Sequence, residues 1–163
     1  MLRDGARPTP RLPLIPMVTT AHPRPEEVDA VLREALEANG QRFTEQRAAV
    51  YRFLRGTDEH PTADEVFTVV RGEISDISLA TVYKALETLV SCGLAAKLSY
   101  GDGSARYDAR TDEHYHSRCL GCGVVRDVHA AEPAYRPQVR VGDGFRVEGF
   151  RVEVVGYCGS CGG

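Results

Sequence analysis

The pattern of apolar and polar positions between residues 25 and 93 predicts four amphipathic helices. In the first two stretches apolar residues recur every three or four positions, which places them on one helix face. The first stretch begins at Pro25 and stops at Gly40. The second begins after Thr44, a favourable N-cap residue, and ends near Gly56.

The next two helices carry stronger start signals. Thr62 and Glu65 have the spacing of a capping box and open a third helix that ends at Gly72. Ser78 caps a fourth helix with a pronounced apolar stripe, and Gly93 follows its end. Each boundary is therefore marked by residues suited to a helix terminus.

A strand pattern follows the fourth helix. Residues 94–100 and 105–107 flank a Gly-Asp-Gly turn and predict a β-hairpin. Short helices followed by a two-stranded hairpin describe a winged helix, in which the helix before the hairpin would lie in the major groove of DNA. The net charge of this region argues mildly against DNA binding, because residues 24–98 contain nine Lys and Arg and thirteen Asp and Glu.

Short β segments replace the helical pattern after Asp112. Residues 124–128 and 145–155 alternate or run apolar, and each adjoins a Cys-x-x-Cys unit. Strands with so few apolar side chains predict a small α/β domain that depends on a bound metal and on a partner subunit for its stability.

The chain is accordingly predicted to be an α+β protein in three parts. Residues 1–23 would be a disordered N-terminal arm, residues 24–108 a winged-helix DNA-binding domain, and residues 109–163 a zinc-pinned dimerisation and metal-binding domain. The arm is rich in Pro, Arg and Thr, and a true start at Met17 would remove most of it. No apolar run is long enough to span a membrane or to act as a signal peptide, so we expect a cytoplasmic protein.

Two Cys-x-x-Cys units carry the strongest chemical signal, Cys119 with Cys122 and Cys158 with Cys161. Two such pairs can close a tetrahedral Zn²⁺ site with no open position for catalysis. The alternative is a pair of redox-active dithiols. Glycine-rich turns after both pairs, with β segments beside them, favour a zinc knuckle over the strand-to-helix turn of a thioredoxin.

A second group of candidate metal ligands lies close to the first pair: Asp108, His114, His116 and Asp127. Imidazole and carboxylate groups are unusual for structural zinc, but they accept iron(II), manganese(II) or zinc(II). Because affinity alone favours zinc over the other two, metal availability would decide which ion is bound.

Five motifs follow one another along nearly all of the organised chain: HPTADEV at 60–66, ISLATVYKALETL at 77–89, RYD at 106–108, HYH at 114–116 and CLGCG at 119–123. In their order and spacing they resemble the motifs of the ferric uptake regulator (Fur) family, whose members are metal-dependent, dimeric winged-helix repressors. The chain looks most like the peroxide-sensing (PerR) branch of that family.

The resemblance to this branch implies a regulatory site for Fe²⁺ or Mn²⁺ on five residues: His60, Asp108, His114, His116 and Asp127. Five ligands would leave one position of an octahedral ion for peroxide. Oxidation of a ligating histidine, usually at the positions of His60 or His114, would then release the metal and the DNA. Manganese(II) would fill the same site but would be hard to oxidise in this way.

The resemblance also implies double-stranded operator DNA bound by a homodimer. Ser78, Thr81 and Arg47 could bond phosphates, and Tyr83 and Lys84 stand at the family's usual positions for reaching bases and backbone. Tyr83 could instead pack in the core. Lys84 replaces an Arg or Asn that is common in the family, and it lacks a planar fork for guanine.

Three other functions fit parts of the pattern. An iron- or zinc-uptake regulator of the same family would sense metal occupancy only, although such relatives tend to have Glu at Asp108 and Asp127. A zinc-ribbon redox or metal-handling protein would need an activated nucleophile or an open zinc position. The sequence shows neither, so we expect neither enzyme activity nor a small organic substrate. A winged-helix interaction module would show no metal effect on DNA binding.

His22 and His129 match no motif, and Cys92 is expected to be a small buried residue.

Overall fold

The computed structural model describes residues 23–100, 103–112, 114–128, 140–148 and 152–162. The helices are α1 (Pro25–Ala38), α2 (Glu45–Arg55), α3 (Ala63–Val70) and α4 (Leu79–Ser91). The strands are β1 (Ala96–Leu98), β2 (Arg106–Asp108), β3 (Tyr115–Cys119), β4 (Val125–Val128) and β5 (Glu153–Gly156). Helices thus precede two small sheets, which confirms an α+β fold. The predicted arm up to residue 22, together with His129, lies outside the described residues.

The helix boundaries expected from capping residues are confirmed to within about two residues. Thr62 Oγ1 accepts from Glu65 N at 3.3 Å, and Thr62 N donates to Glu65 Oε2 at 2.7 Å, so the capping box is present. Ser78 Oγ accepts from Thr81 N at 3.1 Å and caps α4. None of the described helices has the length and apolar character that a membrane span requires.

One hydrophobic core lies among the four helices and the β1–β2 hairpin. Its fully buried side chains include Leu32, Val50, Val66, Leu86, Leu89 and Tyr107. Tyr107 anchors β2 to this core, and Tyr107 N donates to Pro61 O at 2.9 Å. Cys92 is part-buried and packs against the same core, close to its expected environment.

The second sheet has β3 at its centre, antiparallel to β4 and parallel to β5. The sequence pattern did not identify β3, because its residues are mostly polar. The strand predicted over 145–155 is wrong in its first part, since residues 145–148 form no strand and β5 begins at Glu153. A turn with positive φ at Asp143 and Gly144 precedes this segment, and Phe145 is 65% exposed and pairs with none of the described strands.

This three-stranded sheet has little core of its own. Among the described residues after Asp112, the only buried apolar side chains are Cys119 and Val125. Val155 and Tyr157 are more than half exposed. Hydrophobic burial within one chain therefore contributes little to the stability of this sheet.

Candidate metal centres and nucleic-acid interface

The structure brings together all five predicted nitrogen and oxygen ligands, which we call the His/Asp centre. His60 precedes α3, Asp108 ends β2, His114 precedes β3, His116 lies on β3 and Asp127 lies on β4. One ligand atom of each residue lies within 4.8 Å of those of all the others. Residues far apart in the chain thus meet at one point.

The distances within the centre are those of ligands around a shared ion. His60 Nε2 lies 2.9 Å from Asp127 Oδ1 and 3.4 Å from Asp108 Oδ2. His114 Nε2 lies 3.0 Å from Asp108 Oδ2 and 3.2 Å from Asp127 Oδ1. With ligand bonds of about 2.1 Å, adjacent ligands of an octahedral ion lie roughly 3 Å apart and opposed ligands roughly 4.2 Å apart.

Several atoms of the centre nevertheless lack hydrogen bonds. Four such atoms are buried and have no partner of acceptable geometry among the described residues: His60 Nδ1, and the three mutually close atoms His60 Nε2, His114 Nε2 and Asp127 Oδ1. Buried polar atoms are normally hydrogen-bonded, so close atoms that do not bond one another call for a different partner. A divalent cation at their common focus satisfies all three, and the residues present therefore fit a metal ion.

Contacts on both sides hold the segment that carries His60. Thr62 forms a backbone bridge with Arg106 of β2, and Arg106 Nη1 donates to the His60 carbonyl at 2.8 Å. Glu59 forms a backbone bridge with Arg126 of β4. The His60 segment therefore lies between the β1–β2 hairpin and the three-stranded sheet, and the His/Asp centre joins the helical part of the fold to that sheet.

Strand register and one carbonyl place the remaining ligands. His116 and Asp127 are cross-strand partners, so both side chains leave the same face of the sheet. His114 Nδ1 lies 2.8 Å from the Asp112 carbonyl oxygen. A proton on Nδ1 donates to that oxygen and leaves the Nε2 lone pair directed at the centre.

The charges of the centre favour a bound cation. Burial lowers the pKa of His60, but the Asp108 and Asp127 carboxylates outweigh it and raise the pKa to about 9. Burial raises the pKa of Asp108, yet His116 and His60 hold it well below its usual range. The pKa of Asp127 is also lowered, mainly because His60 outweighs its burial. Without an ion, a proton on His60 thus compensates part of the carboxylate charge.

Sequence reasoning missed Arg110, which contacts both carboxylates of the centre. Arg110 N donates to Asp108 Oδ1 at 2.7 Å, and Arg110 Nη1 donates to Asp127 Oδ2 at 3.1 Å. The guanidinium also donates to Asp112, from Nε at 2.9 Å and from Nη2 at 2.7 Å. The available signal was its place two residues after Asp108, but no motif marks an arginine there.

The four predicted zinc ligands also converge. Cys119 ends β3 and is the register partner of Gly156 on β5, which brings the two Cys-x-x-Cys turns together. Cys122 Sγ and Cys158 Sγ are 3.7 Å apart, far beyond a disulfide bond of about 2.05 Å. A tetrahedron with Zn–S bonds of about 2.3 Å has edges of roughly 3.8 Å. This distance and the donor set fit structural zinc.

Electrostatics of the thiols lead to the same conclusion. The backbone N–H groups of Cys122 and Cys158 donate to Cys119 Sγ at 3.5 and 3.3 Å and lower the pKa of that thiol. Contact with the Cys158 sulfur raises the pKa of Cys161. The first thiolate forms readily, whereas the last requires a cation that compensates the accumulated charge.

Two glycines in these turns allow a matched test of the packing around the four sulfurs. A Cβ at Gly121 would lie 2.9 Å from Cys161 Cβ and 3.0 Å from its Sγ, whereas a Cβ at Gly159 would meet nothing within 4 Å. We expect Gly121→Ala to cost about 1–3 kcal/mol of stability through overpacking and to speed zinc loss to a chelator. Gly159→Ala should behave like the unaltered protein. Equal chelator resistance in the two variants would contradict this packing.

A groove between α4 and the start of α2 is lined by three of the five predicted DNA-contacting residues, Arg47, Thr81 and Lys84. Ser78 and Tyr83 lie at the start of α4 and on α4 but are not among the residues that line this groove. Tyr83 is 42% exposed, so the alternative that it packs in the core is wrong. Ser78 Oγ lies 2.8 Å from Thr81 Oγ1, in addition to capping α4. Their contacts with DNA stay a prediction.

Arg47 has a structural role beside any contact with phosphate. Its Nη2 donates to Gln41 Oε1 at 3.2 Å and to Thr88 Oγ1 at 3.3 Å, and its Nη1 donates to the Arg42 carbonyl. These bonds hold α2 against α4, so Arg47 sets the shape of the groove.

Known proteins are similar to this chain in sequence and in fold. The model of the ferric uptake regulator family matches residues 38–155. The peroxide operon regulator of Bacillus subtilis (strain 168) is 38% identical over 135 residues, which cover 80% of this chain and 92% of that protein. The peroxide-responsive repressor PerR of Staphylococcus aureus (strain USA300) is 37% identical over 138 residues, which cover 83% and 90%.

Solved structures agree at the level of the fold. The Helicobacter pylori ferric uptake regulator Fur has a TM-score of 0.68 at 20% identity, covering 88% of this chain and 97% of its own. The Campylobacter jejuni peroxide stress regulator has a TM-score of 0.56 at 26% identity, covering 82% and 97%. With the family match over most of its length, the chain belongs to the ferric uptake regulator family.

Proposed function

We propose that this protein is a metal-dependent, peroxide-responsive transcriptional repressor that acts in the cytoplasm and binds operator DNA as a homodimer. The observation that carries the proposal is the His/Asp centre, where buried, unpartnered ligand atoms from the helical part and from the sheet converge. Relatives at 37–38% identity are named as peroxide regulators, which favours this branch over an iron- or zinc-uptake regulator.

One domain would bind DNA and the other would form the dimer. Residues 24–108 would form a winged helix, with α4 in the major groove and the β1–β2 hairpin against the backbone. The exposed Tyr83 and Lys84 on α4 support that orientation. Residues 109–163 would form the zinc-pinned dimerisation domain, since its sheet exposes apolar side chains such as Val155 that a partner subunit could cover.

The two centres suit different ions. Cys119, Cys122, Cys158 and Cys161 would hold structural Zn²⁺, which contributes directly to folding. The His/Asp centre would hold Fe²⁺ or Mn²⁺ as the regulatory ion, because imidazole and carboxylate ligands accept both.

Ion binding would couple the two domains. His60 and Asp108 belong to the helical part, whereas His114, His116 and Asp127 belong to the sheet or precede it. Ligation by all five residues stabilises only the arrangement in which both parts meet. Occupancy of the centre therefore shifts the population toward one relative orientation of the two domains, which we propose is the orientation that binds DNA.

Oxidation of a ligand would reverse that coupling. Iron(II) bound in the centre would supply the redox chemistry for reducing peroxide. Overall, one oxygen atom of hydrogen peroxide enters a ring C–H bond of His60 or His114, and the other leaves as water. The ring loses the two electrons that the peroxide gains. A modified ring no longer offers the same ligand, so the two domains separate and DNA is released.

The decisive experiment uses full-length protein purified without oxygen, zinc-loaded, and filled with iron(II) or manganese(II). DNA selected from a random-sequence pool by the manganese form serves as the operator probe. Near-stoichiometric hydrogen peroxide is added, and peptide masses are followed together with DNA binding. We expect one added oxygen atom on the His60 or His114 peptide and loss of DNA binding, in the iron form only.

Other outcomes assign other functions. Unmodified histidines with DNA binding that tracks metal occupancy would indicate an iron- or zinc-uptake regulator. Reversible disulfides with loss of zinc would indicate the redox or metal-handling protein. DNA binding that is indifferent to metal would leave only a winged-helix interaction module.

Metal binding should also release a proton. The pKa of His60 is raised to about 9 in the ion-free centre, so His60 is protonated at neutral pH and must lose that proton to bind an ion. We expect the apparent affinity for manganese(II) to fall about tenfold for each pH unit below 9. Calorimetric titrations in buffers of different ionisation enthalpy count the released proton. An affinity that stays constant while the pH is lowered by about two units from the pKa of about 9 would contradict this.

A further inference from the structure

The linker between β2 and β3 contacts three of the five residues of the His/Asp centre. Arg110 N bonds Asp108 Oδ1, Arg110 Nη1 bonds Asp127 Oδ2, and the Asp112 carbonyl lies 2.8 Å from His114 Nδ1. In each ligand the contacted atom is the one that faces away from the centre. The other atom, Asp108 Oδ2, Asp127 Oδ1 or His114 Nε2, is left facing it.

We propose that Arg110 and Asp112 form a positioning element that aims these ligands at the regulatory ion, and that Arg110 restricts Asp127 to a single ligating oxygen. The inference rests on the proposed metal-binding function of the centre. Neither residue ligates the ion itself. Outer contacts of this kind orient metal ligands, and their loss typically lowers metal affinity about 10–100-fold.

The geometry of the guanidinium explains why an arginine is suited to this place. Nε and Nη2 of Arg110 are both held by the Asp112 carboxylate, which leaves Nη1 directed at Asp127 Oδ2. Asp112 thereby fixes the fork and offsets its positive charge, which would otherwise oppose cation binding. A lysine at this position would keep the positive charge but could not hold the carboxylates of Asp112 and Asp127 at fixed angles.

Holding the second oxygen of Asp127 has a consequence for the open coordination position. A carboxylate with both oxygens free can bind an ion through both. Two oxygens from Asp127, added to four other ligands, would fill an octahedral shell. With Oδ2 held by Arg110, the five residues contribute one atom each and one position stays open to water or peroxide.

A different result is expected if Arg110 forms ion pairs that only stabilise the folded protein. The Arg110 side chain is 38% exposed, and exposed ion pairs contribute little to stability. Arg118 on β3 offers a matched control, because it pairs with Glu153 at 2.5 Å and no hydrogen bond or ion pair between described residues links it to the five ligands of the centre. Loss of either arginine should therefore affect folding similarly, whereas only Arg110 should affect metal binding.

The test uses full-length, zinc-loaded protein and manganese(II) as the probe. We expect Arg110→Gln and Arg110→Lys to lower manganese(II) affinity about 10–100-fold, with unfolding midpoints of the ion-free proteins close to that of Arg118→Gln. Water-proton relaxation by bound manganese(II) should also fall in Arg110→Gln, since Asp127 can then displace the ion's exchangeable water. Arg118→Gln should match the unaltered protein in both measurements.

The possible outcomes separate this inference from the proposed function. Manganese(II) affinity and relaxation that are unchanged in both Arg110 variants, or lowered equally in Arg118→Gln, would overturn the positioning role and leave the metal site standing. Unaltered protein that binds no more manganese(II) than His114→Ala would instead overturn the proposed regulatory site, and with it the positioning role.

Discussion

Replacing Cys158 with serine is expected to release zinc and to unfold the sheet of β3, β4 and β5, while the four helices remain folded. Structural zinc contributes on the order of 10 kcal/mol of binding free energy, as much as the whole stability of many small domains. The sheet has no comparable internal source of stability, because its described buried apolar side chains are only Cys119 and Val125. The helical core does not include these cysteines.

Three measurements test this outcome: the zinc content per chain, NMR spectra of the amides in the helices and in the sheet, and the sedimentation of the protein. We expect less than one zinc per chain, loss of dispersed signals from the sheet, and loss of the proposed dimer. Cys92→Ser is the matched control, since Cys92 packs against the helical core and is not part of the four-sulfur cluster. Stoichiometric zinc and an intact sheet in Cys158→Ser would refute the structural role of the cluster.

Replacing His60 with alanine is expected to lower manganese(II) affinity at least about 100-fold, the upper end of what outer contacts alone contribute. His60 comes from the helical part and approaches both carboxylates of the centre, so its loss leaves Asp108 as the one ligand by which the described helical part reaches the ion. Structural zinc should be retained, because the four cysteines lie in a separate cluster. DNA binding should no longer respond to manganese(II).

Thermal unfolding with and without manganese(II) provides a direct measurement. An ion at one hundred times its dissociation constant stabilises the folded protein by about 2.7 kcal/mol, and after a 100-fold loss of affinity the same ion concentration should stabilise His60→Ala by only about 0.4 kcal/mol. His22→Ala, at a histidine outside the family motifs, should retain the full stabilisation. A manganese-dependent midpoint shift in His60→Ala equal to that of the unaltered protein would mean that His60 is not a ligand.

The helices were predictable because their signals are local. A capping box such as Thr62 with Glu65 satisfies backbone groups within one turn, and it does so whatever surrounds the helix. The same holds for Ser78 at the start of α4. The cysteine spacing was informative for a related reason, since two thiols separated by two residues fit one tetrahedral ion.

The strands were harder to predict because pairing is not local. β3 carries mostly polar residues, and it is a strand because β4 and β5 flank it on both sides. Residues 145–148 have a strand-like pattern but pair with no strand in the described part of the chain, and they remain outside the sheet. An alternating pattern shows which residues could form a strand, whereas hydrogen bonds to a neighbour decide which ones do.

By itself, the sequence determined the helix boundaries, the two sets of candidate ligands and the family. Tertiary structure alone decided that His60 reaches the sheet, that one oxygen of Asp127 faces the centre, and that Arg110 holds the other. Ligand type is a property of a residue and can be read one position at a time. Which atom of a ligand faces an ion depends on contacts between residues far apart in the chain, and these contacts exist only once the chain has folded.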